Sequence, residues 1–311
     1  MTIPAELTTS ASSLRMKQPK GRFFMTRIRQ TYLRTAFVLT SLWLGLISAA
    51  EAQKVVTWNV EWFPGRKLSA SAAESKAHMA RAQEVLKKLD PDVFIAEEVR
   101  DWKAFAELVS VVPALKVNVV SAFRSSETGE LWPQQVGIAS KLPVRAAWSE
   151  AWLPTIPSLP RGFSLAVLED PPTGKLLLVY GVHMKSNRGE AEANTRLRNE
   201  SAAQLLVHVD EMERITFPKG QIRGIIVAGD FNTNHDKQFQ DNVIETLTAR
   251  GLFNTWSGVE PQKRLTWKGS GSFASTTFDY IFLKGLGQTN AVVSAAPEDA
   301  SDHNPVVVQL P

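Results

Sequence analysis

The chain has 311 residues, of which 44% are hydrophobic and 21% are charged, and these values are ordinary for a soluble globular protein. It has no cysteine, which excludes disulfides, thiolate metal sites and cysteine nucleophiles. Of its 35 basic and 31 acidic residues, seven basic and two acidic ones lie in residues 1–52, which leaves 28 basic and 29 acidic residues in the remainder. A strong overall attraction for polyanions is therefore not expected.

The N-terminal segment has the three parts of an export signal. Residues 25–34 are positively charged, residues 35–49 are apolar, and residues 50–52 read Ala-Glu-Ala, with small residues where a signal peptidase requires them. The apolar run is shorter than the ~20 residues that span a bilayer, and an uncleaved anchor stays the alternative. We therefore predict an N-terminal extension and signal peptide over residues 1–52, and an exported domain, periplasmic or extracellular, over residues 53–311.

Strands and helices alternate behind this segment. The pattern predicts strands over residues 54–60, 92–99, 134–140, 163–169, 176–184, 224–231, 277–283 and 305–310. It predicts helices over residues 71–88, 101–110, 189–213 and 236–250. Several strands are apolar on both faces, which is typical of sheets that are covered on both sides. Two packed sheets flanked by helices would satisfy this α/β pattern.

Polar side chains recur where the predicted strands end. These residues are Asn59, Glu61, Glu98, His183, Asp230, Asn232, Asp279, Asp302 and His303. Each alone could be a turn residue or a surface group, but the repeated placement along the whole chain indicates one shared site. Carboxylate and amide oxygens bind hard cations such as Mg²⁺, and histidines near carboxylates supply general acids and bases.

Six stretches of the sequence carry a family resemblance. In chain order they are TWNVEWF, PDVFIAEEV, VHMKSN, VAGDFNT, FDYIF and SDHNPV. They resemble, in the same order, the motifs of the endonuclease/exonuclease/phosphatase superfamily, which includes pancreatic-type deoxyribonuclease, abasic-site nucleases, neutral sphingomyelinases and inositol polyphosphate 5-phosphatases. The resemblance implies a four-layer α/β sandwich in which helices flank two central, mostly antiparallel or mixed sheets. It places the site at one end of both sheets.

The resemblance also implies which residues form the site. The metal ligands would be Asn59, Glu98 and Asp302, with Glu98 rather than its neighbour Glu97 as the principal one. The catalytic residues would be His183, Asp230, Asn232, Asp279 and His303. The substrate-binding residues would be Glu61 and Arg100, and Arg100 lies within EEVRD, which is similar to a segment of the deoxyribonuclease that reaches DNA.

Each catalytic residue has a role implied by the resemblance. His303 would be the base that activates water, and Asp279 would orient it. His183 would bind phosphate or act as an acid. Asp230 and Asn232 would orient the attacking water or hold a second metal ion.

The chain departs from the family pattern around His183. In the pancreatic-type enzyme a glutamate pairs with the corresponding histidine, and here Glu130 and Gln135 are the candidates without a clean match. The tyrosine that contacts phosphate in abasic-site nucleases has no evident counterpart near residues 132–137. The pairing of His183 therefore stays open at this point.

These observations predict a metal-dependent phosphodiester hydrolase, an exported nuclease that cleaves DNA, RNA or both by water attack on phosphorus. The cofactor would be Mg²⁺, with Mn²⁺ or Ca²⁺ as alternatives, as one or two ions. The enzyme would be a monomer whose partner is the nucleic acid substrate, without stable membrane association after signal cleavage. Two alternatives stay open: a secreted, sphingomyelinase-like phosphodiesterase or phosphatase of lipids or small molecules, and a binding module with an inactive site.

Overall fold

The computed structural model describes residues 52–125, 128–154, 159–218, 220–236 and 238–311. The predicted signal peptide lies outside these residues apart from Ala52, so export stays a prediction. Among the helices that are described, none combines the length and the apolar character needed to cross a membrane.

The described residues form twelve strands and four α-helices. The strands are β1 (Lys54–Phe63), β2 (Val93–Val99), β3 (Lys116–Val120), β4 (Gln135–Ser140), β5 (Val144–Ala151), β6 (Gly162–Asp170), β7 (Lys175–His183), β8 (Ile222–Asp230), β9 (Phe253–Asn254), β10 (Asp279–Lys284), β11 (Val292–Val293) and β12 (Val306–Gln309). The α-helices are α1 (Ala72–Leu89), α2 (Trp102–Val109), α3 (Ala191–Glu211) and α4 (Val243–Ala249). A π-helical turn, Met212–Thr216, continues α3, and Pro261–Lys263 form a 3₁₀ turn.

These strands form two six-stranded sheets. The first sheet has the order β11-β12-β1-β2-β4-β3, and the second sheet has the order β5-β6-β7-β8-β10-β9. The pairs β1–β2 and β7–β8 are parallel, and the other neighbouring pairs are antiparallel. The predicted pair of mixed sheets is confirmed.

The two sheets pack against each other, and the helices cover their outer faces. One apolar cluster joins Ile95 of the first sheet to Val179 of the second, and it continues to Leu205 of α3. A separate cluster packs Leu86 of α1 against Trp58 on the other face of the first sheet. The layers are therefore helices, sheet, sheet and helices, which confirms the predicted α/β sandwich.

The sheets approach closely at Gly181, near the end of β7. A Cβ atom added there would lie 2.8 Å from Cγ1 of Val136 and 2.9 Å from Cγ2 of Ile95. Such distances are too short for carbon atoms in contact. Because His183 ends the same strand, this close approach fixes the separation of the two sheets next to a predicted site residue.

The elements differ from the predicted ones in several respects, which include the two-residue strands β9 and β11 that the pattern does not predict. Strands β3 and β5 lie at sheet edges and are largely exposed or half-buried, so their apolar pattern is too weak to predict a strand. The helix predicted over residues 236–250 begins only at Val243. Asp241, just ahead of this helix, pairs instead with Arg198 of α3.

A buried histidine ties together two loops that flank the first sheet. The Gly65 N–H donates to Nδ1 of His78 at 2.8 Å, so Nε2 carries the ring proton and donates it to the Ala300 carbonyl at 2.7 Å. Burial lowers the pKa of His78, and the positive charge of Arg66 lowers it further. The folded protein therefore favours the neutral ring.

This neutral ring should make the protein less stable in acid. In the unfolded chain His78 takes up a proton near its ordinary pKa of 6.5. The folded ring resists protonation, so the free energy of unfolding falls as pH drops below that value. In thermal unfolding, His78→Gln should lose less stability than the wild type between about pH 7.5 and about pH 5.5. An equal loss in both proteins would assign the acid sensitivity to other groups.

Candidate active site

Three strand ends of the second sheet meet in one row. His183 at the end of β7 is in register with Asp230 at the end of β8, and Asp230 is in register with Asp279 at the start of β10. All three side chains are buried. Because residues paired across strands have neighbouring side chains, this row brings one histidine and two carboxylates together.

The histidine of the SDHNPV stretch completes the row. Nδ1 of His303 lies 2.8 Å from Oδ2 of Asp279, and Nε2 lies 3.9 Å from Oδ2 of Asp230. The backbone N–H of His303 donates to Ser301 Oγ at 2.9 Å, and its carbonyl accepts from Nε1 of Trp58 at 3.0 Å. The ring is therefore held by its backbone and by Asp279, with Nε2 closest to Asp230.

The neighbouring carboxylates raise the pKa of the His303 ring. Burial alone would lower the pKa of His303, but Asp279 and Asp230 together raise it well above its ordinary value. Burial and the neighbouring Asp279 raise the pKa of Asp230 to about 7. Asp279 thus stabilises the imidazolium, which is the form that His303 adopts after it accepts a proton.

The first sheet adds residues from the ends of β1 and β2. Nδ2 of Asn59 donates to Oδ2 of Asp230 at 3.0 Å and so joins the two sheets. Oε2 of Glu98 accepts from the Trp62 N–H at 2.8 Å, and Oε1 lies 3.9 Å from Nε2 of His183. Glu98 has a φ of 62°, and residues in this uncommon left-handed conformation cluster at functional sites.

Neither sequence candidate for the partner of His183 occupies that place. Oε1 of Gln135 accepts from the Phe123 N–H at 2.9 Å, and Glu130 is exposed. The carboxylates near His183 are those of Asp230, at 3.6 Å from Nε2, and Glu98. Its Nδ1 has no hydrogen-bond partner among the described residues.

His183 differs from His303 in its proton affinity. Burial lowers the pKa of His183 well below its ordinary value, and the positive charge of Arg161 lowers it further. The two histidines of the site therefore have pKa values that are pushed apart. Such a separation is typical of groups that play different acid–base roles in one site.

Asn232 lies just past the end of β8. Its backbone N–H donates to Oδ1 of Asp230 at 2.8 Å, and its Nδ2 donates to the Met184 carbonyl at 3.2 Å. Its φ is 53°, a left-handed conformation that asparagine tolerates better than most residues. The turn therefore keeps Asn232 directly beside Asp230.

A second acidic pair, Glu61 and Asp302, links β1 to the residues before β12. Oε2 of Glu61 accepts from the Asp302 N–H at 2.9 Å and from Nε of Arg66 at 2.7 Å. Oδ2 of Asp302 accepts from Nε1 of Trp267 at 3.1 Å. Burial raises the pKa of Glu61. Among the described contacts, none joins Asp302 to Glu98, so the predicted metal ligands fall into two neighbouring groups.

Arg100 lies apart from these groups. Its Nε donates to Oδ2 of Asp101 at 2.8 Å, and its side chain is 52% exposed. Asp101 in turn caps α2 by accepting from the Ala104 N–H at 2.8 Å. No described contact joins Arg100 to the residues above, and its part in substrate binding stays a prediction.

Sequence reasoning missed a buried arginine. Arg161 stands just before β6, and its Nε and Nη2 donate to the carbonyls of His183 and Met184 at 2.8 and 2.7 Å. No carboxylate forms an ion pair with it in the described part of the chain. Burial lowers its pKa to about 10, while the nearby Glu98 and Asp230 act in the opposite direction. The signal in the sequence was a charged residue directly ahead of a long apolar strand.

A buried glutamate was also missed. Oε1 of Glu97 accepts from Thr57 Oγ1 at 2.8 Å, whereas Oε2 has no partner among the described residues. Burial raises the pKa of Glu97 well above its ordinary value, and Asp279 raises it further. The sequence signal was alternation, because Val93, Ile95 and Glu97 point to the same face of β2.

The site has the donors that a hard divalent cation needs. Ligand atoms of Asp230, Asp279 and His303 lie within 4.8 Å of one another. Oδ1 of Asp279 is buried without a hydrogen-bond partner in the described residues. Oε1 of Glu98 lies 3.9 Å from Nε2 of His183, and the same nitrogen lies 3.6 Å from Oδ2 of Asp230. Carboxylate oxygens suit Mg²⁺, Mn²⁺ and Ca²⁺, and buried negative charge calls for a compensating cation.

Known proteins share this architecture. An endonuclease/exonuclease/phosphatase from Bacteroides vulgatus is 17% identical, with a TM-score of 0.60 over 83% of this chain and 98% of that chain. A mannosyl-6-phosphatase of Bacteroides thetaiotaomicron is 17% identical, with a TM-score of 0.59 over 84% and 100%. The catalytic domain of human Nocturnin with bound sulfate is 16% identical, with a TM-score of 0.62 over 84% and 93%. At these identities the similarity shows the fold.

Sequence comparison places the chain in a family. No curated protein sequence matches it. The model of the Endonuclease/Exonuclease/phosphatase family matches residues 56–303, a span that runs from β1 to His303 and contains every residue of the site. The chain therefore belongs to the endonuclease/exonuclease/phosphatase family.

Proposed function

We propose that this protein is a metal-dependent phosphodiester hydrolase that is exported and cleaves nucleic acid. The observation that carries the proposal is the buried Asp279–His303 pair, whose free ring nitrogen lies closest to Asp230. A histidine oriented by a carboxylate is the arrangement that activates water as a nucleophile. The family contributes the reaction class, because its nucleases and phosphatases hydrolyse phosphate esters.

His303 is placed to take the proton of the attacking water. Asp279 holds Nδ1, so Nε2 is the atom that accepts the proton. The transfer forms an imidazolium, which the carboxylate of Asp279 stabilises. Oδ2 of Asp230 lies 3.9 Å from this nitrogen, and the Asn232 N–H donates to Oδ1 of Asp230, so Asp230 and Asn232 can hold the water in position for attack on phosphorus.

Arg161 and His183 are placed to stabilise the negative charge that develops on the phosphoryl oxygens. Arg161 contributes a buried positive charge, and the neutral ring of His183 can donate one N–H to an oxygen. Fixed donors of this kind act most strongly where water is excluded. A divalent cation held by Glu98 and its acidic neighbours would add positive charge at these oxygens and favour the neutral form of His303 before the reaction.

A substrate panel tests the proposal. The substrates are plasmid DNA, single-stranded DNA, RNA, sphingomyelin and bis-p-nitrophenyl phosphate, each with Mg²⁺ and with EDTA. We expect cleavage of nucleic acid and of the small diester with Mg²⁺ and none with EDTA. Cleavage of sphingomyelin without any cleavage of nucleic acid would replace the nuclease assignment with a lipid phosphodiesterase.

One observation favours this lipid alternative as the second candidate. Trp267 bridges to His303 and to Thr276 at the base of a hairpin, and Phe273 near its tip is 72% exposed. An exposed aromatic side chain on a loop beside the site suits contact with an apolar substrate. Replacing Phe273 by serine would lower activity on lipid vesicles and spare activity on DNA if lipid is the substrate.

Glu98→Gln should weaken metal binding while the fold is kept. Glutamine has the same shape and can still accept from the Trp62 N–H, but it lacks the negative charge that attracts the cation. We expect the apparent Kd for Mg²⁺ to rise roughly tenfold or more, measured by calorimetric titration and by the Mg²⁺ dependence of turnover. Glu169→Gln, which alters a glutamate paired with Arg145, is the matched control. Equal Mg²⁺ affinity in all three proteins would remove Glu98 from the ligand set.

Arg100→Ala should lower the affinity for DNA without affecting small diesters. If the Arg100 side chain moves from Asp101 to a DNA phosphate, the substitution removes one of the phosphate contacts that make DNA binding depend on salt. The slope of log affinity against log salt should then fall by about 0.9 on duplex DNA, while hydrolysis of bis-p-nitrophenyl phosphate is unchanged. An unchanged slope would leave Arg100 as a surface partner of Asp101.

A further inference from the structure

A buried ion pair contacts the two loops that follow His183 and Asp230. Arg198 of α3 and Asp241 have side chains that are each 1% exposed, and Nε and Nη2 of Arg198 both lie 2.8 Å from Oδ2 of Asp241. Burying two charges costs free energy that their attraction only offsets, so such a pair is weak evidence for stability. Its other contacts indicate what it does instead.

Arg198 holds the loop that follows β7. Its Nη1 donates to the Lys185 carbonyl at 3.1 Å and to Oδ1 of Asn187 at 2.9 Å. This loop begins directly after His183. The planar guanidinium thus bonds a carboxylate on one side and two loop oxygens on the other, a geometry that a lysine ammonium cannot reproduce.

Asp241 and Asn187 hold the loop that follows β8. Oδ1 of Asp241 accepts from Thr233 Oγ1 at 2.7 Å, and Nδ2 of Asn187 donates to the Asn232 carbonyl at 2.9 Å. Asn232 is therefore fixed through its own carbonyl and through the next residue. A left-handed residue of this kind persists when the surrounding structure constrains it.

Building on the proposed function, we propose that Arg198, Asp241 and Asn187 form a positioning network that sets Asn232 and Asp230 in the geometry for water attack. None of the three touches the phosphate in this mechanism. They act through the carbonyl of Asn232 and through Thr233, and the Asn232 N–H then orients Oδ1 of Asp230. Loss of the network should lower kcat and leave KM almost unchanged, because the groups that bind substrate stay in place.

Three variants and a control separate positioning from stability. Arg198→Met removes every bond that Arg198 makes to Asp241, to the Lys185 carbonyl and to Asn187. Arg198→Lys keeps a positive charge opposite Asp241 but cannot also bond both loop oxygens. Asn187→Ala, in a half-buried loop position, keeps the Arg198–Asp241 ion pair and removes the two bonds of the Asn187 side chain, one to Arg198 and one to the Asn232 carbonyl. It therefore carries the test if the Arg198 variants fail to fold. Arg223→Met is the matched control, because Arg223 pairs with the buried Asp170 at 3.0 Å away from the site.

The first readout is steady-state kinetics on bis-p-nitrophenyl phosphate. We expect kcat to fall about 10- to 100-fold in all three variants, as for other groups that orient site residues, with KM within about twofold and with Arg223→Met at the wild-type level. Wild-type kcat in both Arg198→Lys and Asn187→Ala would overturn the proposal, as would an equal loss in Arg223→Met.

The second readout does not depend on activity. Hydrogen exchange of the Asn232 amide, followed by NMR, should be faster in Asn187→Ala than in the wild type, while amides of β8 stay unchanged. Unchanged exchange at Asn232 would overturn the positioning role even if the enzyme is active. If the wild type hydrolyses no phosphate ester but exchange at Asn232 still accelerates, the proposed function is wrong and the network stands.

Discussion

His303→Ala and Asp279→Asn should each lower kcat by about 10²- to 10⁴-fold, which is the range that a general base supplies. Alanine removes the proton acceptor. Asparagine can still accept from Nδ1 of His303, but it removes the charge that stabilises the imidazolium. The two residues act as one unit through their 2.8 Å contact. The kcat of the double variant should therefore be only slightly lower than that of the more impaired single variant.

Turnover of bis-p-nitrophenyl phosphate at saturating Mg²⁺ measures these effects. His208→Gln is the matched control, because His208 also contacts a carboxylate and a hydroxyl, those of Glu150 and Tyr180, but lies behind the second sheet. It should keep wild-type kcat. Losses that multiply in the double variant would instead give His303 and Asp279 separate roles.

Arg161→Met should lower kcat/KM by about 10²- to 10³-fold, as expected when a fixed cation no longer faces the phosphoryl oxygens. No carboxylate forms an ion pair with this residue among the described residues, although the charges of Glu98 and Asp230 act on it. Its positive charge is therefore available to the substrate phosphate. Arg161→Lys should lose less, because it keeps the charge while giving up the planar fork to the carbonyls of His183 and Met184.

Inhibition by inorganic phosphate distinguishes two roles of Arg161, which are binding of the substrate phosphate and support of the backbone carbonyls of His183 and Met184. Its inhibition constant should rise in Arg161→Met and much less in Arg161→Lys, with circular dichroism unchanged. If phosphate inhibits Arg161→Met as well as it inhibits the wild type while thermal stability falls, then Arg161 only braces the end of β7, and another group must supply the positive charge.

The fold and the grouping of His183, Asp230 and Asp279 could be predicted because both depend on the local pattern of apolar and polar residues in the sequence. Apolar runs of strand length identify the sheets, and polar residues at their ends identify the edge where the site forms. His183, Asp230 and Asp279 meet there because their strands are neighbours in register. No property of a single strand shows this register, but the common placement at strand ends was enough to group the residues.

The other parts of the site depend on contacts that sequence does not display. Asp302 is next to His303 in the chain, yet its carboxylate accepts from Trp267 and its backbone binds Glu61. The direction of a loop side chain is set by such distant partners rather than by its neighbours. For the same reason Arg161 shows no motif of its own, and its place behind His183 emerges only when β6 and β7 pair.

The sheet order also governs when this protein can become active during its synthesis. Strand β12 pairs with β1 near the middle of the first sheet, with Val306 opposite Thr57, and His303 stands just before β12. The ribosome makes β1 before the other described strands and its partner β12 after them. A nascent chain that already contains β1, β2, β7 and β8 therefore still lacks His303, and the proposed base can reach the site only after β12 has been made and has joined the sheet.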